Sequence, residues 1–300
     1  MKNTFLWHVG RPTLIWITLL FAENLQAQDS LYAHKKTYNS FKAPLIEDNS
    51  FFVEEAFNQQ KGIVQFISTC YFTKIRQGDM AYSFTHELPL KGVKHQFSYT
   101  LNYFMFPSLL PNGHGLGDVM VNYRYELAGK NNWALVTPRL SLIIPTGDVS
   151  KGLGSGAWGT QVNLPVSKML SNKLVTHYNA GFTFLKNAHY SLAEPSSQDD
   201  FSQQDLTHFH AGASIIWLAN DRINGMLEYM SSFNDQFDDA GHVINQHQLL
   251  VNPGIRYAFK AGQSQIVPGI SLPIAWQEDQ STTGLFFYLS IEPDFNLEGN

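Results

Sequence analysis

Cysteine is almost missing. Cys70 is the single one in 300 residues, which excludes an internal disulfide, a four-thiolate zinc site and a Cys-x-x-Cys redox motif. Charge is scarce as well: Asp, Glu, Lys and Arg make up 15% of the chain, against roughly 25% in ordinary soluble domains. There is no basic excess either. Twenty basic and 25 acidic residues leave a net charge of −5, which excludes a polybasic nucleic-acid binder, because neutralising phosphates requires clustered Lys and Arg. Beyond the first 22 residues no apolar run approaches the ~18 needed for a membrane-crossing helix. What is present is 44% hydrophobic residues with many aromatics, a mixture wrong for disorder.

The amino terminus carries an address. Lys2 and Arg11 flank the start of an apolar stretch, Leu14 to Ala22, and Leu25-Gln26-Ala27 ends in a small residue of the kind signal peptidase prefers. Residues 1–27 therefore read as a secretory signal. Glu23 and Asn24 interrupt the stretch, which argues against the alternative, a helical membrane anchor. No cysteine stands at the cleavage point for a lipid. Any membrane protein made from the remainder has to be a barrel, since only helices and closed barrels satisfy their backbone in lipid.

Hydrophobic periodicity supports that outcome. Val119, Val121, Tyr123, Tyr125 and Leu127 alternate with Asp118, Asn122, Arg124 and Glu126. Such a segment is a strand with one apolar and one wet face. The same period recurs at His177 to Phe184 and at Val251 to Lys260. Strands are expected near 63–75, 80–88, 95–106, 116–127, 133–146, 157–169, 174–186, 206–218, 223–232, 247–259, 265–276 and 284–295, with ten or fourteen as alternative totals. Their connections alternate in length. Short links such as Lys91-Gly92, Asn220-Asp221 and Ala261-Gly262 are made of turn formers, whereas those at 107–115, 147–156, 187–205 and 233–246 are longer.

Short turns at one end and long loops at the other define an up-and-down antiparallel transmembrane β-barrel of about twelve strands in a Gram-negative outer membrane. A secreted β-sandwich or jelly roll is the competing fold. The expected organisation is a signal peptide over 1–27, a periplasmic tail or plug over 28–50, and the barrel over 51–300. Aromatic residues near strand ends, among them Trp133, Trp158, Trp217, Tyr257 and Trp276, suit girdles at headgroup level. The stretch from Phe286 to Phe295 has the look of the terminal aromatic strand that barrel-assembly machinery recognises. Expected partners are outer-membrane lipid and lipopolysaccharide, that machinery, and a small-molecule solute, with no nucleic acid.

Gly115-Leu116-Gly117-Asp118 leading into Asn122-Tyr123-Arg124-Tyr125, then Pro138-Arg139-Leu140-Ser141, Pro145-Thr146-Gly147-Asp148, Gly152-Leu153-Gly154-Ser155-Gly156 and Asn179-Ala180-Gly181 resemble the outer-membrane family named for a meta-pathway of phenol degradation. The resemblance runs from about Ser50 to Phe295 and includes Val53-Glu54-Glu55-Ala56. It implies a porin-like transporter barrel for small hydrophobic or aromatic compounds. It supplies no catalytic residues.

Motifs that imitate other chemistry lose their context. Gly154-Ser155-Gly156-Ala157-Trp158-Gly159 fits a dinucleotide glycine pattern, but Thr160 to Pro165 alternates like a strand, so no helix amino terminus is there for a pyrophosphate. An exposed glycine-rich hairpin accounts for it better. His177, His208 and His210 share an interior without a diagnostic metal spacing. Asp235, Asp238 and Asp239 near His242 miss the calcium-loop spacing. Ser141, His177 and Asn179 are the residue types of an outer-membrane hydrolase, yet Ser141 lacks a nucleophile elbow. No catalytic residue, metal or cofactor is expected. The pore lining is assigned to inward positions: Asp118, Asn122, Arg124, Glu126, His177, Asn179, Glu228, Asn252, Arg256, Lys260 and Glu292. Their mixed charges pair across the lumen without strong ion selectivity, and passage down the gradient is the expected activity. A structural or adhesive barrel is the alternative.

Overall fold

The computed structural model of the protein describes residues 50–293, apart from 75–77, 91, 108–112, 130–131, 191–201, 239–240 and 279. The predicted signal, most of the tail or plug assigned to 28–50, and Phe295 lie outside the described residues.

Alternation of side chains makes strands, and strands need neighbours for every N–H and C=O. The chain meets that need by closing a ring of twelve antiparallel staves. They are β1 (Gln65–Lys74), β2 (Asp79–Pro89), β3 (His95–Met105), β4 (His114–Leu116 and Val119–Tyr125), β5 (Leu135–Val136 and Arg139–Ile144), β6 (Gly159–Asn163 and Val166–Ser171), β7 (Leu174–Tyr190), β8 (Ser202–Leu218), β9 (Ile223–Phe237), β10 (Val243–Tyr257 and Phe259–Ala261), β11 (Ser264–Ser271 and Ile274–Gln277) and β12 (Gln280–Thr283 and Leu285–Glu292). Each stave pairs with the next, and β1 pairs with both β2 and β12, for example Cys70 with Tyr82 on one side and Phe287 on the other. No edge is left over, so the fold is a barrel and not a sandwich.

The expected strands and these staves coincide closely, and the differences have physical causes. Several staves are interrupted at Gly117-Asp118, Pro138, Pro165 and Leu272-Pro273, because proline withholds a ladder donor and glycine permits a bend. β7 to β10 also run further toward the long-loop end than expected, so much of the link placed at 233–246 is strand. There Phe233↔His247, Asp235↔Asn245 and Phe237↔Val243 pair. Polar residues on both faces hid this extension, since a hairpin that rises beyond lipid needs no apolar side.

The two faces of the wall differ in kind. Outward positions are apolar: Leu140, Leu142, Phe209, Ile215, Leu227, Tyr229, Ile255 and Leu289 are all exposed. Among the described residues, charged side chains facing outward from the staves occur only at the rims, as Lys168, Lys186, Asp205 and Asp235. The outward row on β9 from Gly225 to Phe233 spans roughly 21 Å of height at a strand tilt of about 40°. That is close to the apolar band of an outer-membrane barrel. Trp133, 79% exposed, and Trp217 mark the short-turn rim, while Trp158 and Trp276 mark the other. Lys168 Nζ lies 3.5 Å from the centre of the Trp133 ring, the pairing expected where a cation meets an aromatic at headgroup depth.

Inward positions are polar on nearly every stave: Thr69, Ser83, Thr85, Gln96, Asn122, Gln161, Asn163, Ser232 and Asn252 are buried. A water-exposed exterior with this pattern is physically inverted, since it buries amides and exposes leucines. Lipid is the surround that makes it favourable, and the protein is an outer-membrane barrel.

Candidate functional site

The lumen is occupied by the chain itself. Residues 50–59, which precede β1, are all buried and cross the barrel interior near its short-turn end. An extended segment away from the wall has no neighbouring strand, so its backbone must find side-chain partners. It finds them on six staves. The Phe52 and Val53 N–H groups donate to Glu228 Oε1 at 2.7 and 2.9 Å. Asn179 brackets Glu54, accepting from its N–H and donating to its carbonyl, both at 2.7 Å. The Ala56 N–H donates to Ser167 Oγ at 2.7 Å, and the Gln59 N–H to Gln96 Oε1 at 2.6 Å. Arg124 donates to the Glu55 carbonyl and Thr137 to that of Ala56.

One ion pair anchors the crossing. Arg139 on β5 meets Glu54, with Nε to Oε1 at 3.0 Å, and both side chains are wholly inaccessible to solvent. Arg139 also donates to Asn122 and Ser141. At the other end Phe51 and Phe52 pack on Phe286, with ring centroids 5.5 and 4.8 Å away, and Phe51 on Tyr288. The Phe51 ring fits only because the wall is recessed there. A Cβ added at Gly254 would lie 2.4 Å from the ring and 2.8 Å from Ser271 Cβ, and one at Gly269 would lie 2.6 Å from the ring. Glycine inside a strand marks such a close approach. Gly254→Val is therefore expected to expel Phe51 while leaving the hydrogen-bonded ladder intact. Faster proteolysis before β1, with unchanged heat-modifiable gel mobility, would show it.

The opposite end of the lumen is roofed. The loop between β5 and β6 turns inward through a short helical turn, Val149–Lys151, capped by Asp148, and carries Leu153 to 1% exposure. The Ser150 hydroxyl bonded to Asp148, with Lys151 beside it, holds that carboxyl below its ordinary range. Asp118 fastens the loop. Its Oδ1 accepts from the Gly147 N–H at 2.9 Å, and its Oδ2 from the Ser155 N–H and hydroxyl, both at 2.8 Å. The glycine-rich stretch expected as an exposed hairpin is thus folded into the barrel mouth, because the tethering carboxylate comes from a different stave. Beneath it is a cavity of about 50 Å³, several times the roughly 10–15 Å³ that one water requires. Its wall is Phe104, Met120, Ile143, Leu153, Leu185, Ala188, Leu206 and Phe237, with Asn102, Asp118, Ser155 and His189 at the edge.

The residues assigned to a pore lining are divided among three places. Asn122, Arg124, His177, Asn179, Glu228, Asn252, Arg256 and Glu292 are buried within the barrel. Of these, Arg124, Asn179 and Glu228 grip the crossing segment, and Asn252 donates to Glu228 Oε2 at 2.6 Å. Asn122 donates to Ser98, and Gln65 to Glu292. Asp118 serves the roof. Glu126 is half-buried and Lys260 exposed at the short-turn rim, where the alternation outlasts the enclosed lumen. The hydrolase trio is not assembled: Ser141 accepts from Arg139, His177 is bonded to Ser167 at 2.6 Å, and Asn179 holds Glu54. His208 and His210 are buried in the interior, His210 beside Asn163. Of the acidic group near His242, Asp235 accepts from Thr207 and Asn245, and Asp238 from His242. Asp239 lies outside the described residues.

Glu54, Arg139, Ser167 and Gln96 escaped assignment as interior residues. The parity of Pro138-Arg139-Leu140-Ser141 was the available signal for Arg139.

Comparison with known proteins places this geometry. No curated protein matches the sequence significantly. Among solved structures, an outer-membrane channel from Pseudomonas putida F1 superposes with a TM-score of 0.55 at 10% identity, covering 85% of this chain and 98% of that one. The NanC porin gives 0.46 at 10% identity, over 78% of this chain and 100% of that one. The monoaromatic hydrocarbon channel CymD gives 0.37 at 11% identity, over 80% and 90%. The first of these shows the shared barrel fold. Residues 49–290 match the family described as the MetA-pathway of phenol degradation, and the chain belongs to that family.

Proposed function

We propose that the protein is a passive outer-membrane channel for small apolar solutes, received in the roofed cavity and released toward the periplasm when residues 50–59 shift. The observation that carries this reading is how those residues are held. They are bonded by wall side chains and not by strand pairing, so they can leave without unzipping the barrel. A solute loses its water against Phe104, Phe237 and the aliphatic wall, then descends past inward amides and hydroxyls. The barrel is embedded in phospholipid and lipopolysaccharide, inserted by the barrel-assembly machinery, and catalyses no reaction. The channel character of the Pseudomonas relative supports the reading.

A purely structural barrel is favoured by one observation, the complete burial of residues 50–59. Planar-bilayer recording and liposome flux with the refolded full chain separate the two. A channel gives low basal conductance with discrete openings, and flux that grows when the segment is loosened. A barrel that stays silent in both states rejects passage.

A further inference from the structure

Accessible charge on this barrel is sorted by end. Among the described side chains, the short-turn rim carries Lys61, Lys94, Lys168, Lys173, Arg222 and Lys260 against Asp221 and the half-buried Glu126. At the long-loop rim the balance reverses. Besides the roof-bound Asp118, the residues Asp148, Asp205, Asp235, Asp238 and Glu278 stand there against Lys151 and Lys186. Pairing differs in the same sense. Lys151 and Lys186 each meet a carboxylate, Asp148 at 3.3 Å and Asp205 at 2.8 Å. Among the described residues, Lys61, Lys94, Lys168, Lys173 and Arg222 make no ion pair with a carboxylate. Two of these cations are instead seated against aromatic residues. Lys168 follows the inward Ser167 and so faces outward on β6, with its Nζ 3.5 Å from the centre of the exposed Trp133 ring. Arg222 reaches the Tyr257 hydroxyl at 3.5 Å. An ammonium carries three donors, and a ring face takes up only one side of it.

We propose that the Trp133–Lys168 seat is a binding site for the headgroup of an anionic phospholipid in the periplasmic leaflet, with phosphatidylglycerol as its simplest occupant. The outer wall at this height meets lipid headgroups, so the acceptor that comes to the ammonium is a phosphate diester, while the indole borders the glycerol backbone. Lys173 and Lys94, on the neighbouring turns, add attraction that a zwitterionic headgroup largely cancels with its own cation. The acidic excess at the opposite rim repels the same lipid. The site is independent of solute passage.

Quenching of Trp133 emission by brominated lipid tests this, in phosphatidylcholine vesicles holding either dibrominated phosphatidylglycerol or dibrominated phosphatidylcholine. Trp7, Trp16, Trp158, Trp217 and Trp276 are replaced by phenylalanine in the full chain, and folding is checked by heat-modifiable mobility. Phosphatidylglycerol is expected to associate about fivefold more strongly than phosphatidylcholine, the worth of one basic residue at a charged membrane surface. Lys168→Gln is expected to bring the ratio below about twofold and Lys168→Arg to keep it. Raising salt from about 0.05 to about 0.5 M is expected to weaken the preference. A barrel that keeps Trp158 as its one tryptophan, at the long-loop rim, is expected to show none. The salt and Trp158 comparisons use the native lysine and hold even where Lys168→Gln does not fold. Equal association of the two lipids at Trp133 overturns the site, as does a preference that Lys168→Gln leaves unchanged or that Trp158 shares. Loss of the preference on adding millimolar glycerol 3-phosphate overturns it too, because free phosphate and not lipid is then the ligand.

Discussion

Arg139→Ala is expected to turn a closed barrel into a conducting one, raising the ratio of open to closed barrels in planar bilayers by about two to four orders of magnitude. Removing one partner of a buried ion pair costs about 3–5 kcal/mol, because the other charge is left uncompensated. Here the abandoned charge is Glu54, wholly inaccessible beside Arg139. The cost falls on one state only. With residues 50–59 in the lumen Glu54 is stranded, while with the segment withdrawn it is hydrated. A differential of that size shifts a two-state equilibrium by roughly 10² to nearly 10⁴. The ladder that closes the wall, including Arg124↔Arg139, is backbone and survives the substitution. Adding Glu54→Ala removes the stranded charge, so the double variant is expected to return most of the way to the closed state. A conductance in Arg139→Ala indistinguishable from the native level would show that the pair does not hold the gate.

The second large effect lies on the opposite face of the wall. Leu227 is exposed in the lower part of the outward row on β9, one outward position above the Trp217 rim, in a row with Ile215 and Pro253. Leu227→Arg is expected to destabilise the barrel in phospholipid vesicles by about 1–2 kcal/mol, between the cost of a cation at the interface and at the bilayer midplane. The measurement is a urea or guanidinium titration of heat-modifiable mobility. Leu227→Phe at the same position is expected to stay within about 0.5 kcal/mol of the native protein. Were this face in water, the arginine variant would be neutral and the apolar row itself the anomaly, so the pair of variants tests the membrane assignment apart from transport.

Architecture was legible because a membrane wall is a local code. Val119 to Leu127 and Val251 to Phe259 announce by parity alone which side meets lipid, and the difference between Asn220-Asp221 and the 145–158 loop announces which end carries short turns. Period two needs no knowledge of distant residues, since each strand is amphipathic by itself. Burial of Asn122, Arg124, Glu228 and Arg256 followed from the same parity.

What occupies the interior was decided by the tertiary structure alone. Ser50 to Gln59 has no period, with three apolar residues in succession followed by two acids. Its partners are scattered from Gln96 to Glu228 across the barrel. A segment whose bonds reach almost entirely to distant residues, the Gln59 amide on Gln65 being the local one, leaves little trace in its own neighbourhood. The same holds for the roof: Asp118 reads as one more inward polar residue until the closed ring brings Gly147 and Ser155 to it. Sequence set the wall because its rule is repeated locally in lipid contact, whereas stopper and cavity depend on which side chains a completed cylinder places opposite one another.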